Sequence, residues 1–434
     1  MSYRERLADR MAALGRPIRV GLAGAGQMGT GLVAQVERMT GMEVAAIADV
    51  LPDRAAAAFK RAGVEDVLTG DDPGTLSEAV HSGRRVAVPD AKLLSALPVD
   101  VVVEATGIPE IGAEVAFGAV LAGKDVALLN VECDITVGYL LKTLARRSGS
   151  VYTVARGDEP TEIKRLVDYA RDLSFEVVCA GKGKNNPMDP SATPESLANQ
   201  AAAKHMNPKM LCSFVDGSKA MIEMAALANA TGLEVSKRGM YGPRTTVPEL
   251  ADVFRPVADG GVLDRPGVVD YCTGPVAPGV FVTVRADDPT VAAEMSYLQM
   301  GPGPYFALYR PYHLASLEAP LSVAEAVLDR TASLQPESWM AEVCAAAKRP
   351  LRAGELIDGI GGTTVYGMIE AAPVAAAEGL VPLGLLSGAR VVRDVPQGTV
   401  LTVADVEIDE TSTIALLRRL QDKLLAGEAV QLAA

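Results

Sequence analysis

The chain has 434 residues, of which 49% are hydrophobic and 22% charged, and a net charge of −13. That length suits two or three domains, each burying its own core, and the acidic balance excludes a nucleic-acid surface, which recruits an excess of Lys and Arg. The cysteines are five, an odd number, and none lies in a C-x-x-C pair, which argues against a disulfide framework or a structural zinc site and for a reducing compartment. No run reaches the ~18 apolar residues of a membrane span, and residues 1–10 are charged and amphipathic without an apolar signal core. A cytoplasmic protein with a small-molecule substrate and no nucleic-acid or membrane partner is therefore expected.

Residues 1–16 predict a helix that leads into a strand with Ile18, Val20 and Leu22. Gly24, Gly26 and Gly29 follow in G-x-G-x-x-G spacing, and Leu32, Val33, Val36 and Met39 recur at helical spacing behind them. Strand, glycine turn and helix in this order can hold a dinucleotide pyrophosphate. The first glycine permits the turn, the second lets the phosphates approach the backbone, the third lets helix and strand pack, and the helix N-terminus offers free N–H groups. Gly24, Gly26, Gln27, Met28 and Gly29 are thus candidate cofactor contacts. A second strand, residues 43–49, ends in Asp49, placed to bond the adenosine ribose, while Arg54 in the next helix leaves a 2′-phosphate, and so NADP as well as NAD, open.

Residues 71–97 read as a polar insertion of irregular pattern. Two near-continuous apolar runs follow, residues 99–107 and 124–132, of the kind buried in a parallel sheet. Their polar ends, Glu104, Thr106 and Gly107 in the first and Asn130 and Glu132 in the second, fall where open α/β sheets bind ligands. Thr106, Gly107 and Asn130 are assigned to the cofactor. A helix over 137–147 and a strand from Ser150 close a doubly wound, Rossmann-type α/β domain over 1–155.

The second domain, an α+β substrate domain over 156–340, opens with Gly157-Asp-Glu-Pro160 and a helix over 161–173. A strand from Phe175 leads into a loop with Lys182 and Lys184; Lys209 and Lys219 follow. Buried lysine suits a hydride-transfer site, because desolvation lowers its pKa and its ammonium polarises a carbonyl or steadies an alkoxide. Lys182, Lys184, Lys209 and Lys219 are the candidate catalytic lysines, with Asp158, Glu132 and Asp216 to orient them or to hold magnesium or manganese, although no spacing defines a metal site. His205, Arg310 and His313 are candidate substrate contacts, and Arg244 or Arg310 could clamp an anion. Short β-like runs between 235 and 312 suggest an antiparallel sheet, and a helix over 318–330 closes the domain. Residues 341–434 read as a small β-rich domain with a C-terminal helix.

Gly24-Ala-Gly-Gln-Met-Gly29, Glu104-Ala-Thr-Gly107, Asn130-Val-Glu132, Gly157-Asp-Glu-Pro160, Ala180-Gly-Lys-Gly-Lys184, Met206-Asn-Pro-Lys209 and Asp216-Gly-Ser-Lys219 together resemble one family. It is the homoserine-dehydrogenase-like oxidoreductases with a C-terminal SAF-type β domain, whose best-understood group is similar to 1-deoxy-D-xylulose 5-phosphate reductoisomerase. The resemblance implies an NAD(P)-dependent oxidoreductase acting on a small hydroxy or keto compound such as a sugar phosphate, a divalent cation where the reaction is reductoisomerisation, and a homo-oligomer. A homoserine-type dehydrogenase and a non-catalytic nucleotide sensor are the alternatives.

Overall fold

The computed structural model describes residues 1–428. The chain folds into two compact units that interleave in sequence. One holds Met1–Asp158, Leu314–Gln335 and the chain from Ser412, and the other holds Glu159–His313 and Pro336–Thr411. This differs from the three consecutive domains expected. The C-terminal helix belongs with the nucleotide-type unit, and the β appendix belongs with the central segment.

The first unit is built on a seven-stranded parallel sheet: β1 (Ile18–Ala23), β2 (Met42–Ala48), β3 (Val67–Thr69), β4 (Arg85–Val88), β5 (Val101–Glu104), β6 (Asp125–Leu128) and β7 (Tyr152–Val154), in spatial order 3-4-2-1-5-6-7. The order reverses between β1 and β5, which makes the carboxyl end of β1 the switch point where such sheets bind ligands. Ile18, Val20 and Leu22 of β1 pack against Leu32, Val33 and Val36 of the helix Gln27–Val36, and all are buried. Each fully buried Val, Leu or Ile of this kind contributes roughly 1.5–3 kcal/mol.

Residues 71–97 are not an insertion. They supply the helix Pro73–His81 and β4, which pairs with both β2 and β3. Its apolar run, Val86-Ala-Val88, is too short to stand out as a strand. The strand read over 124–132 stops at Leu128, because Asn130 caps the helix Val131–Ser148 by accepting from Cys133 N at 3.1 Å. That helix starts six residues earlier than the expected 137. The helix expected over 318–330 forms as Ala315–Ala324 with a π turn to Asp329, and it packs on Gln27–Val36 rather than closing the second unit.

The second unit carries a five-stranded sheet: β8 (Glu176–Lys184), β9 (Glu234–Val235), β10 (Val268–Thr273), β11 (Val280–Arg285) and β12 (Tyr305–Arg310), in order 12-11-8-10-9. It is mixed rather than antiparallel, since β10 runs parallel to both β8 and β9. The return from β8 to β10 passes through a buried helix, as a parallel crossover requires. That helix, Ser218–Thr231, is buried at every position from Ala220 to Ala230, which explains its Ala- and Met-rich sequence without an apolar stripe. The antiparallel pair β13 (Ala341–Ala347) and β14 (Val365–Ala371) packs against the same helix. A further short pair, β15 (Arg390–Val391) with β16 (Val406–Glu407), completes the β appendix.

Candidate functional site

The three glycines of the first turn have separable roles. Gly24 adopts φ +98°, a conformation open to glycine at little cost. A Cβ on Gly29 would stand 2.0 Å from the Gly24 carbonyl oxygen, so only glycine lets helix and turn meet. Gly26 has φ −72° and open space where a Cβ would be, and as N-cap of Gln27–Val36 it brings no side chain to the helix N–H groups. The turn thus leaves an uncapped helix N-terminus facing open space, which fits a dinucleotide pyrophosphate. Gln27 and Met28 form the first helical turn. Asp49, just beyond β2, accepts from Ala25 N and Leu51 N, both at 2.9 Å, so its carboxylate also braces the glycine turn. Arg54 is exposed.

Beside this turn, Glu104 ends β5 fully buried and accepts from Thr106 N at 2.8 Å and from the Thr106 hydroxyl. Burial pushes its carboxyl up to about 7. Gly107 turns the chain with φ +68°. Asn130 is wholly buried, capping its helix and donating to Ile108 O at 3.0 Å, so it shapes the loop after β5 instead of being presented to a ligand. Glu132 lies buried in the first turn of the same helix, not at a strand tip. Asp158 is buried at the end of the unit.

In the second unit, Lys182 and Lys184 are not on a loop. They sit at alternate positions of β8, hence on one face of the sheet, at 8% and 6% exposure. The strand register sets Arg310 of β12, Val280 of β11, Lys182 and Tyr271 of β10 side by side in one row. The helix Glu159–Asp172 brings Glu159 and Glu162, three residues apart on one helical face, to this row. Lys182 Nζ donates to Glu159 Oε1 at 2.6 Å and to Glu223 Oε2, and the Arg310 guanidinium pairs with Glu162. Burial alone would lower the Lys182 pKa, but the two carboxylates overcome it and hold the ammonium charged. Burial and the neighbouring Glu159 raise Glu223 to about 7, against the pull of Lys182 and of Lys219, one helical turn before it. His313 Nε2 lies 3.5 Å from Glu159 Oε1, and its Nδ1 is 2.9 Å from the Pro278 carbonyl.

Lys184 is the contrasting lysine. Its Nζ donates to the carbonyls of Asn186 at 2.7 Å and Pro187 at 3.3 Å and, among the described residues, meets no carboxylate at bonding distance. Burial, and then the charge of Lys182, lowers its pKa to about 8. One ammonium locked in its charged form and one poised near neutrality suit an electrophile and a proton acceptor, respectively.

Comparison with known proteins adds to this geometry. Residues 157–319 match the family described as "Oxidoreductase DRL, catalytic domain", and residues 342–407 match the SAF domain. No curated protein matches the chain. Among solved structures, the chain is similar to a probable dehydrogenase from Thermotoga maritima, with 14% identity, a TM-score of 0.42 and coverage of 74% of this chain and 91% of that one. It is also similar to a putative myo-inositol dehydrogenase from Sinorhizobium meliloti 1021, with 13% identity, a TM-score of 0.41 and coverage of 72% and 90%. A third is 1-deoxy-D-xylulose 5-phosphate reductoisomerase from Zymomonas mobilis in complex with NADPH, with 15% identity, a TM-score of 0.36 and coverage of 73% and 82%. The oxidoreductase match contains the whole lysine–glutamate cluster of β8.

Other expected residues lie apart from that cluster. Lys209 is exposed on the first turn of the helix Pro208–Val215 and donates to the Asp358 carbonyl at 2.9 Å. His205 is exposed at the end of the helix Ala198–Ala203, with φ +53°. Arg244 is exposed as well. Asp216 pairs with Lys348 at 2.8 Å rather than bonding a lysine of the cluster. Sequence reading missed Glu159, Glu162, Glu223 and Lys348. The signal for Glu223 was available: it is the one acid in an Ala- and Met-rich helix, and such an acid is either surface-facing or held by a buried cation.

Proposed function

We propose that the chain is an NAD(P)-dependent oxidoreductase acting on a small hydroxy or keto compound, with the substrate oxygen handled by Lys182 and Lys184. The observation that carries this reading is the pairing of those two lysines on one face of β8, the first clamped charged by Glu159 and Glu223 and the second lowered to about 8. The open, uncapped turn at Gly26 fits the pyrophosphate of the dinucleotide, and a bound nicotinamide would supply hydride transfer. Lys182 polarises the oxygen, while Lys184 takes its proton as the neutral amine during oxidation and returns it as the ammonium during reduction. Glu159 and Glu223 keep Lys182 charged and fixed.

The finer reading is a sugar phosphate as substrate, with reductoisomerisation of 1-deoxy-D-xylulose 5-phosphate as the specific case. The sequence resemblance supports it. The test is the absorbance of reduced nicotinamide on incubation with NADPH or NADH, magnesium or manganese, and 1-deoxy-D-xylulose 5-phosphate. Oxidation that depends on sugar and metal is the expected result. Cofactor binding without that turnover would remove this substrate and direct the search to other polyol phosphates and hydroxy acids, whereas failure to bind either cofactor would overturn the oxidoreductase reading.

A further inference from the structure

Lys348 follows β13 directly and is 4% exposed, in the segment that matches the SAF domain. Its ammonium donates to Ala192 O at 2.7 Å and Gly362 O at 2.8 Å, pairs with Asp216 Oδ2 at 2.8 Å and lies 3.2 Å from Cys212 Sγ. Asp216 is wholly buried at the corner between the helices Pro208–Val215 and Ser218–Thr231, and its other oxygen accepts from Ser218 N at 2.8 Å. Two more clasps join the appendix to this helix. Gly367 N of β14 donates to Ser218 Oγ at 2.7 Å, and at the far end Asn229 Oδ1 accepts from Met340 N and Ala341 N at 2.7 and 2.9 Å. A buried ion pair is a weak source of net stability, and this one ties the end of β13 to the corner at which the helix carrying Glu223 begins.

We propose that the buried Lys348–Asp216 pair is a positioning element for the lysine–glutamate cluster, through which the β appendix sets the placement and charge environment of Lys182, Lys184 and Glu223. The groups that face Lys184 are Lys182 from its own strand, Asp216 and Glu223 from the helical corner and helix, and the carbonyls of Asn186 and Pro187. Those that face Asp216 are Lys184, Lys348, Cys212 and Tyr366. Asp216 therefore supplies the negative charge that supports the Lys184 ammonium, and Lys348 holds that charge in place.

This inference rests on the cluster being the site of proton transfer, but its test needs no substrate. Trace labelling with acetic anhydride at a series of pH values, read by peptide mass spectrometry, titrates each lysine in the full-length protein. Lys184 should label with a midpoint of about 8 in the wild type. In K348M/D216N, which leaves no unpaired buried charge, the midpoint should fall by at least about half a pH unit. D216N alone, which leaves Lys348 its two carbonyl acceptors, should show the same fall if the double variant does not fold. Where turnover has been established, kcat should drop roughly tenfold, equivalent to about 1.4 kcal/mol in the barrier, with KM and cofactor affinity unchanged. A folded variant with the wild-type Lys184 midpoint would overturn the proposal whether or not its turnover fell. A shifted midpoint in a protein that turns nothing over would remove the reaction reading alone.

Discussion

Lys182 and Glu104 are both buried and charged or chargeable, yet their surroundings give them opposite consequences. Lys182→Met would leave Glu159 and Glu223 facing each other without their ammonium, and breaking a buried pair in this way costs about 3–5 kcal/mol. Chemical denaturation should show that loss, and K182M/E223Q should recover most of the stability while staying inactive. Recovery of turnover in the double variant would deny Lys182 its role at the substrate oxygen. Glu104 meets no cation among the described residues that overcomes its burial, and its pKa rises from 4.5 to about 7. A carboxyl raised on folding favours the protonated native state, so its contribution is intact below pH 4.5 and is lost as pH rises to about 7, a change of about 3 kcal/mol. Glu104→Gln keeps the acceptor for Thr106 without the charge. Its stability relative to wild type should therefore improve between pH 5 and pH 8 by about 2 kcal/mol, and a difference independent of pH would refute the account of this residue.

At the scale of the element, the glycine turn separates folding from binding. Gly26→Ala places a methyl in open space at φ −72°, so the melting temperature should hold while dinucleotide affinity, measured by quenching or calorimetry, falls about tenfold or more, equivalent to about 1.4 kcal/mol. Gly29→Ala drives its Cβ into the Gly24 carbonyl and should lower stability and affinity together. Equal behaviour of the two variants would mean that the space at Gly26 is not where the pyrophosphate lies. The sheet of the second unit offers a purely structural counterpart. Phe254 and Phe281 are fully buried with ring centroids 4.8 Å apart, and Phe254→Ala should cost about 3–5 kcal/mol in denaturant unfolding.

Across the whole molecule, local signals were legible and long-range ones were not. The strand–glycine–helix opening and the apolar runs at β5 and β6 follow from periodicity and turn chemistry, and the structure reproduces them. Lys182 and Lys184 stood out because lysines among glycines invite attention. Their true setting in a buried strand was hidden, because the alternation Lys-Gly-Lys reads as polar loop until two facing helices supply Glu159 and Glu223. Lys348 carried no local signal at all, since its partners at Ala192, Cys212, Asp216 and Gly362 are distant in sequence or across a loop. The interleaving of the units was hidden for a similar reason. Residues 314–335 rejoin the first unit through the bond from Val154 N to Leu334 O and the Arg330–Asp125 pair, and no composition shift announces either. All three scales meet in the proposed nicotinamide-dependent reaction whose proton passes through Lys184. Its most direct test is the pH dependence of kcat for substrate oxidation in the wild type and in Lys184→Met. With neutral Lys184 proposed as the proton acceptor, the wild-type rate should rise with pH through a midpoint of about 8 and then level, and Lys184→Met should lose that limb with most of the rate while still binding cofactor. A variant that keeps both rate and limb would contradict the account.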